Sequence, residues 1–326
     1  MATATTWAPA FEEMHLLDPV PQVVSVSSAY GESFYQGEAG GPSYECEDEV
    51  ALCTLAARGA SIIAGSGDFG AAGIPSCGLT ASWPCSSPVV TCVGGTMFDG
   101  TTVNSTQRVC QAGDLPATLP VTPAGITGGG GFSSLWERPA YQYDAVEAWW
   151  NANQGAYAGY NTSRPVDPNH GTFRGPNTQG FWLQGRAVPD VAAPAHSFPV
   201  VSLNSTDGWT VMFSDGTSAS TPVVASLVAL LADAVWQHSA EHKDRSAENM
   251  SPAYLGCINP LLYAAAPSAG VGTPSYVDDV EQGNNFCPST VQCCNLGFNA
   301  TAGWDPTTGF GVPMYDAMLA AFLQTP

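Results

Sequence analysis

A strand–helix–strand run near the start of the chain restricts its fold more than any other feature. Residues 22–28 (QVVSVSS) are apolar and β-branched and read as a buried strand that ends at Tyr30-Gly31. Residues 45–58 follow, with Val50, Leu52, Leu55 and Ala56 clustered, and read as a helix closed by Gly59. Residues 61–64 form a second short apolar strand that runs into Gly65-Ser66-Gly67-Asp68. Two strands joined through a helix by short connections imply a parallel sheet, because parallel neighbours need a crossover of that length.

The remaining segments extend this α/β pattern. Residues 89–93 are a further strand candidate, ended by Gly94-Gly95. The middle, 128–180, is turn-rich: residues 141–150 look helical and 151–180 like irregular surface, while 198–203 and 209–213 are short strands around Asp207-Gly208. A long apolar helix is expected from Ser218 to about His238, a Gly- and Cys-rich loop over 277–313, and a closing helix over 314–323. The four glycines at 128–131 lack the following Gly-Lys-Ser/Thr of a phosphate loop, which argues against a nucleotide site. With 35 Gly and 26 Pro among 326 residues, turns are frequent, but no linker divides the chain, so residues 1–326 read as one domain.

Eight Lys and Arg against 28 Asp and Glu give a formal charge of −20, which repels nucleic acid and anionic lipid. The acidity fits either solubility or adaptation to acid. The mostly apolar run 222–236 contains Asp233 and is too short to span a membrane. Ten cysteines without metal-ligand spacing favour disulfides, and five Asn-x-Ser/Thr sequons (Asn104, Asn161, Asn204, Asn249 and Asn299) point the same way. Together they imply a secreted, vacuolar or lysosomal protein. The first twenty residues have no signal-peptide character, so an amino-terminal part is expected to be missing.

The segment 214–222, SDGTSASTP, carries the chemistry. A Ser placed after a glycine turn at the start of a buried helix suits an acyl-transfer nucleophile: the helix's positive end favours a developing negative charge. An ordinary Ser/Thr helix cap reads the same way. Seven stretches in order decide between them. They are VVSVSS-AYG (23–31), SGD (66–68), SSPVVTCVGGT (86–96), GGGFS (129–133), RAVPDVAA (186–193), GTSASTP (216–222) and AGWDPTTGFGVP (302–313).

This set resembles the sedolisin, or serine-carboxyl peptidase, family, which includes tripeptidyl-peptidases. The resemblance implies a subtilisin-like α/β fold, a mostly parallel sheet flanked by helices, with a calcium-binding loop near the carboxyl end. It implies Ser218 as nucleophile and Asp68 as a protonated oxyanion donor, a role that requires acid. It also implies calcium held by the side chains of Asp279 and Asp305 and the carbonyls of Val280, Thr301 and Gly303. Thr301 stands where relatives often have Gly, and only its carbonyl is needed. Without the resemblance, Asp68, Asp279 and Asp305 would read as turn aspartates.

The family's base is a Glu hydrogen-bonded to an Asp four residues later. No Glu of this chain has an Asp at that spacing; Glu13 and Asp18 are one residue too far apart. The chain therefore reads as a serine-type peptidase, endopeptidase or tripeptidyl-peptidase, truncated at its amino-terminal side and lacking its base pair. The alternative is a catalytically inactive homologue that binds peptides. The expected partners are peptide or protein substrates, not nucleic acid or membrane, and the chain reads as a monomer.

Other residues are set aside. His170 sits too close to Ser218 for a subtilisin-type base, and His15, His196, His238 and His242 show no metal-ligand grouping. Asp190 reads as a structural hydrogen-bonder, and Trp149 and Trp150 as core or loop anchors. Asp215, where relatives commonly carry Ser or Gly, either raises the acidity demand on the site or faces solvent. Cys287, Cys293 and Cys294 lie where they would staple the calcium loop, with Cys77 a further candidate and the connectivity open.

Overall fold

The computed structural model describes residues 8–32, 44–71, 79–102, 104–113, 115–164, 179–204, 208–242, 254–265, 276–286 and 296–324. The amino-terminal half runs α1 (Ala8–Leu16), β1 (Val23–Val26), β2 (Tyr30–Gly31), α2 (Tyr44–Ala57), β3 (Ser61–Gly65), β4 (Ser82–Trp83), β5 (Val90–Phe98), β6 (Gln107–Val109), β7 (Gly131–Glu137) and α3 (Tyr143–Asn153). The rest runs β8 (Gly185–Val188), β9 (Val191–Pro194), β10 (Phe198–Asn204), β11 (Gly208–Ser214), α4 (Thr217–His242), α5 (Asn259–Ala264), β12 (Val277–Asp278), β13 (Val312–Pro313) and α6 (Tyr315–Gln324).

The main sheet is mostly parallel, as expected. β3 lies between β1 and β5, β9 adds to β5, and all three pairings are parallel; β6 pairs β5 antiparallel. Alternate residues of β3 face opposite layers, as the two-residue period of a strand requires. Ile62 and Ala64 pack with Phe11, Leu52 and Leu55 on the α1–α2 side. Ile63 packs with Val224, Val228 and Leu231 of α4 and with Met318 and Phe322 of α6. By length and hydropathy α4 would also pass as a membrane span, but here it lies across β1, β3, β5 and β9.

Three expectations are corrected. Gly94 and Gly95 do not end β5; they lie within it, because a side chain there would meet neighbouring elements. A Cβ at Gly95 would come 2.9 Å from that of Ala195, and one at Gly94 3.0 Å from Pro189. Second, the turn-rich middle hides strand β7, which pairs antiparallel with β8. Third, residues 151–180 are not all surface: Tyr157 joins Phe132, Trp149, Phe181, Phe298 and Trp304 in one aromatic cluster. Hairpin β10–β11, by contrast, leaves Val201, Leu203, Trp209, Val211 and Phe213 exposed. Cys85 and Cys92 form a disulfide, and Cys53, Cys110 and Cys257 are free thiols. His170, Cys77, Cys287, Cys293 and Cys294 lie outside the described residues.

Asp190 is the buried junction of the sheet. Its Oδ2 accepts from the Arg186 guanidinium at 2.6 Å and from the Cys92 amide at 2.8 Å, and its Oδ1 from the Tyr263 hydroxyl at 2.9 Å. Both members of the Arg186–Asp190 pair are fully buried. Removing one member strands the other charge, so Asp190→Ala is expected to cost about 3–5 kcal/mol in a denaturant titration. A joint replacement of Arg186 and Asp190 by apolar residues of similar volume is expected to cost less than the single change.

Candidate active site

The parallel strands deliver the candidate residues to one edge. Ser27 follows the carboxyl end of β1, Asp68 follows that of β3, and Ser218 stands in the first turn of α4. Sites in α/β sheets form at this edge. Two glycines permit the approach. Gly65 has no Cβ, and one built there would come 2.8 Å from Thr221 Oγ1 and 3.1 Å from Thr217 Oγ1, so any side chain would hold α4 away from β3. Gly67 has φ of +101°, which turns the chain sharply after β3 and before Asp68.

Ser218 and Asp68 meet through the residue between them. The Thr217 amide and hydroxyl both donate to Asp68 Oδ1, at 2.8 and 2.9 Å, and Thr217 Oγ1 accepts from the Gly67 amide at 3.2 Å. Asp68 Oδ2 lies on the Gly216 side, 3.4 Å from where a Cβ would project. Asp68 is partly buried and Ser218 exposed. The Ser218 hydroxyl donates to the Ser27 carbonyl at 3.2 Å, and the Ser27 hydroxyl donates back to the Ser218 carbonyl at 3.0 Å. Among the described residues, the hydrogen-bond acceptor of Ser218 Oγ is thus a backbone carbonyl.

One wall is the 127–134 segment. The Thr127 amide donates to the Asp68 carbonyl at 3.1 Å and the Gly129 amide to the Gly67 carbonyl at 2.7 Å, so GGGFS runs beside the Asp68 loop. Glu32 pins the segment from behind, accepting from Ser133 Oγ at 2.5 Å and from the Ser134 amide and hydroxyl at 2.7 and 2.8 Å. Asp215 is only partly buried, yet both of its carboxylate oxygens are engaged. It accepts from the Gly125 amide at 2.6 Å, the Ser197 amide at 2.7 Å and His196 Nδ1 at 2.9 Å.

The carboxyl-end residues also come together. β12 pairs with β13 through Val277↔Pro313 and Asp278↔Val312, which brings Asp279-Val280 against the 301–311 loop. The Gly303 amide donates to Asp279 Oδ2 at 2.7 Å and the Thr301 amide to Asp305 Oδ2 at 2.8 Å. Asp305 Oδ1 accepts from the Thr307 amide at 2.8 Å and its hydroxyl at 2.5 Å. Burial pushes the Asp305 carboxyl up to about 7, against those hydrogen bonds. Among the described residues, no three His, Cys, Asp or Glu side chains group as a metal site.

Ser27, Thr217 and Glu32 carry these contacts, and the sequence reading assigned them no role. Ser27 had a signal in its place at the end of a strand within a matched stretch. Glu32 had none, since its partners lie about a hundred positions away.

The buried acids set a direction for stability with pH. Burial raises Glu32 and Glu49 above the ordinary 4.5, only partly offset by the hydrogen bonds from Ser133 and Ser134 and from Ser87. A raised folded value means this stability is fully present below 4.5 and is lost as pH rises from there through the higher folded value. The melting temperature is therefore expected to increase as pH falls from about 7 toward 5, and Glu32→Gln to flatten this dependence.

Comparison with known proteins bears on the family and the fold. The Subtilase family model matches residues 16–258. Aorsin of Aspergillus oryzae is 31% identical over 320 residues, covering 93% of this chain and 41% of aorsin. Tripeptidyl-peptidase SED1 of Arthroderma otae is 30% identical, covering 93% and 40%, and tripeptidyl-peptidase 1 of Bos taurus 32% identical, covering 84% and 39%. The chain thus spans about two-fifths of the length of these relatives. Pseudomonas sedolisin, a serine-carboxyl proteinase solved with pseudo-iodotyrostatin, superposes over all of this chain and 71% of its own, with TM-score 0.66 and 24% identity. The chain belongs to the subtilase family of peptidases, on its sedolisin side.

Proposed function

We propose that this chain is the carboxyl-side part of an acid-acting serine-carboxyl peptidase domain, with Ser218 as nucleophile and Asp68 as oxyanion donor. One observation carries the reading: Thr217 holds the Asp68 carboxyl beside Ser218 at the amino end of α4. In this mechanism the Ser218 hydroxyl attacks a peptide carbonyl, forming an acyl-enzyme and expelling the amine. The developing oxyanion lies near the positive end of α4 and accepts a proton-bearing bond from Asp68. Since Oδ1 already accepts two donors, the donated proton belongs on Oδ2. The role exists only while Asp68 carries that proton, so activity is confined to acid.

The proton leaving Ser218 needs a base. No glutamate of this chain has the Glu–Asp spacing, and the Ser218 hydroxyl rests on the Ser27 carbonyl. We assign the base to residues outside these 326, so the chain alone retains only residual catalysis from oxyanion stabilisation and binding. The same carbonyl contact favours a second reading, an inactive homologue that binds peptides. The Cys85–Cys92 disulfide and the sequons support passage through an oxidising, secretory compartment.

The loop at the carboxyl end fits calcium by its donors, which are oxygens throughout: the carboxylates of Asp279 and Asp305 with the carbonyls of Val280, Thr301 and Gly303. A divalent cation there would supply the charge that the buried Asp305 carboxylate needs, and would stabilise the loop rather than take part in bond cleavage.

Hydrolysis of an unstructured peptide from pH 3 to 8 tests the site. Low turnover is expected, strongest in acid, reduced about 10²–10³-fold by Asp68→Asn and to background by Ser218→Ala. A maximum above neutrality would remove the donor role from Asp68. Robust turnover by this chain, lost in Ser218→Ala, would instead place the base within it. Separately, calcium at about a hundredfold over its dissociation constant is expected to stabilise the fold by about 2.7 kcal/mol, and Asp279→Asn with Asp305→Asn to abolish that gain.

A further inference from the structure

Asp215 precedes the nucleophile turn and ties that turn to two other segments. Its Oδ2 takes the Gly125 amide at 2.6 Å, at the head of the segment that runs on to Gly129 beside the Asp68 loop. Its Oδ1 takes the Ser197 amide at 2.7 Å and His196 Nδ1 at 2.9 Å, from the turn between β9 and β10. Its own neighbour Gly216 donates to the Ala195 carbonyl at 2.8 Å, and the Ala195 amide donates to Thr96 of β5 at 2.8 Å.

Two further observations show that this junction is built rather than incidental. Among the described residues Ser197 is the one non-glycine with positive φ, 51°, and its amide is one of those Asp215 accepts. A strained residue of that kind persists only where its surroundings hold it. The His196 ring is also engaged at both nitrogens, with Nε2 3.2 Å from Ser197 Oγ. Neutral, the ring donates from Nδ1 to Asp215 and accepts from Ser197; protonated, it donates at both, so the contact survives either state.

We propose that Asp215 is a positioning residue that clamps the 125–129 segment and the 195–197 turn to the nucleophile turn, and so sets how Ser218 and Asp68 face a bound peptide. This rests on the peptidase reading above. The clamp is suited to acid. Against the cost of partial burial, bonds from Gly125, Ser197 and His196 hold the Asp215 carboxyl below its ordinary 3.8. With a depressed folded value, its contribution is present above 3.8 and lost only as pH falls through the lower folded value. Among the described residues, the other titratable groups around it are His196, Asp68 across the nucleophile turn, and the buried thiol of Cys110.

Amide exchange and binding of a peptide aldehyde, measured at acid pH on the 326-residue chain, test the clamp. Asp215→Ala is expected to speed exchange at Gly125 and Ser197 about 10- to 100-fold, with the amides of β1 and β3 unchanged. The dissociation constant for the aldehyde is expected to rise about tenfold or more, with Asp215→Asn intermediate and His196→Gln milder still. Unchanged exchange at Gly125 and Ser197 would overturn the clamp. Faster exchange with unaltered aldehyde affinity would overturn the positioning role. Failure of the wild-type chain to bind the aldehyde counts against the peptidase reading, and the exchange result then decides the clamp by itself.

Discussion

The site depends on two hydrogen bonds from Thr217 to Asp68. Its amide and hydroxyl both reach one carboxylate oxygen, so the start of α4 and the end of β3 are fixed to each other by two contacts on a single atom. A hydrogen bond contributes about 0.5–1.5 kcal/mol net, and two from the amide and the hydroxyl of one residue also fix an angle. That angle decides where the next side chain, Ser218, projects. The arrangement works because Gly65 leaves room for the helix to approach; a methyl group there would meet Thr221 Oγ1 at 2.8 Å. Local backbone at residue 65 and long-range chemistry at residue 217 are one constraint.

A second junction governs the opposite end of the sheet. Asp190 takes charge and hydrogen bonds from Arg186, Cys92 and Tyr263 with its carboxylate, while its carbonyl accepts the Phe310 amide at 2.9 Å. Trp304 Nε1 adds a bond to the Pro189 carbonyl at 3.0 Å. The loop that carries Asp305 is thus fastened to the same turn that fastens β9 to β5. The β12–β13 pairing, not sequence proximity, brings Asp279 to Gly303 of that loop.

What was legible in the sequence follows from range. β1, α2 and β3 could be read because their apolar pattern and closing glycines are local signals. Ser218 and Asp68 could be named because each sits in a short matched stretch, although nothing local says that they meet. The glycines in β5 misled, since their need arises from Ala195 and Pro189, about a hundred positions away. The strand β7 was hidden by a glycine run and by partners in β8 about fifty residues on. Asp215 stayed open between a role in the site and a solvent-facing one for the same reason: its partners, Gly125 and His196-Ser197, belong to other segments. The purpose of a buried polar residue is set by what the fold places opposite it.

This distinction runs through the carboxylates. Twenty-eight acids give the chain its charge, and composition treats them alike. In the fold they divide by partner and burial. Glu32 and Glu49, buried with hydroxyl and amide donors, favour the protonated form; Asp215, less buried and facing a histidine, favours the ionised one. Acidification thus relieves burial at the first two while leaving the third charged down to a lower pH. The two roles proposed above, oxyanion donor for Asp68 and clamp for Asp215, fall on acids with different surroundings. Among the described residues Asp68 accepts hydrogen bonds from one residue on one oxygen, and Asp215 from three residues on both.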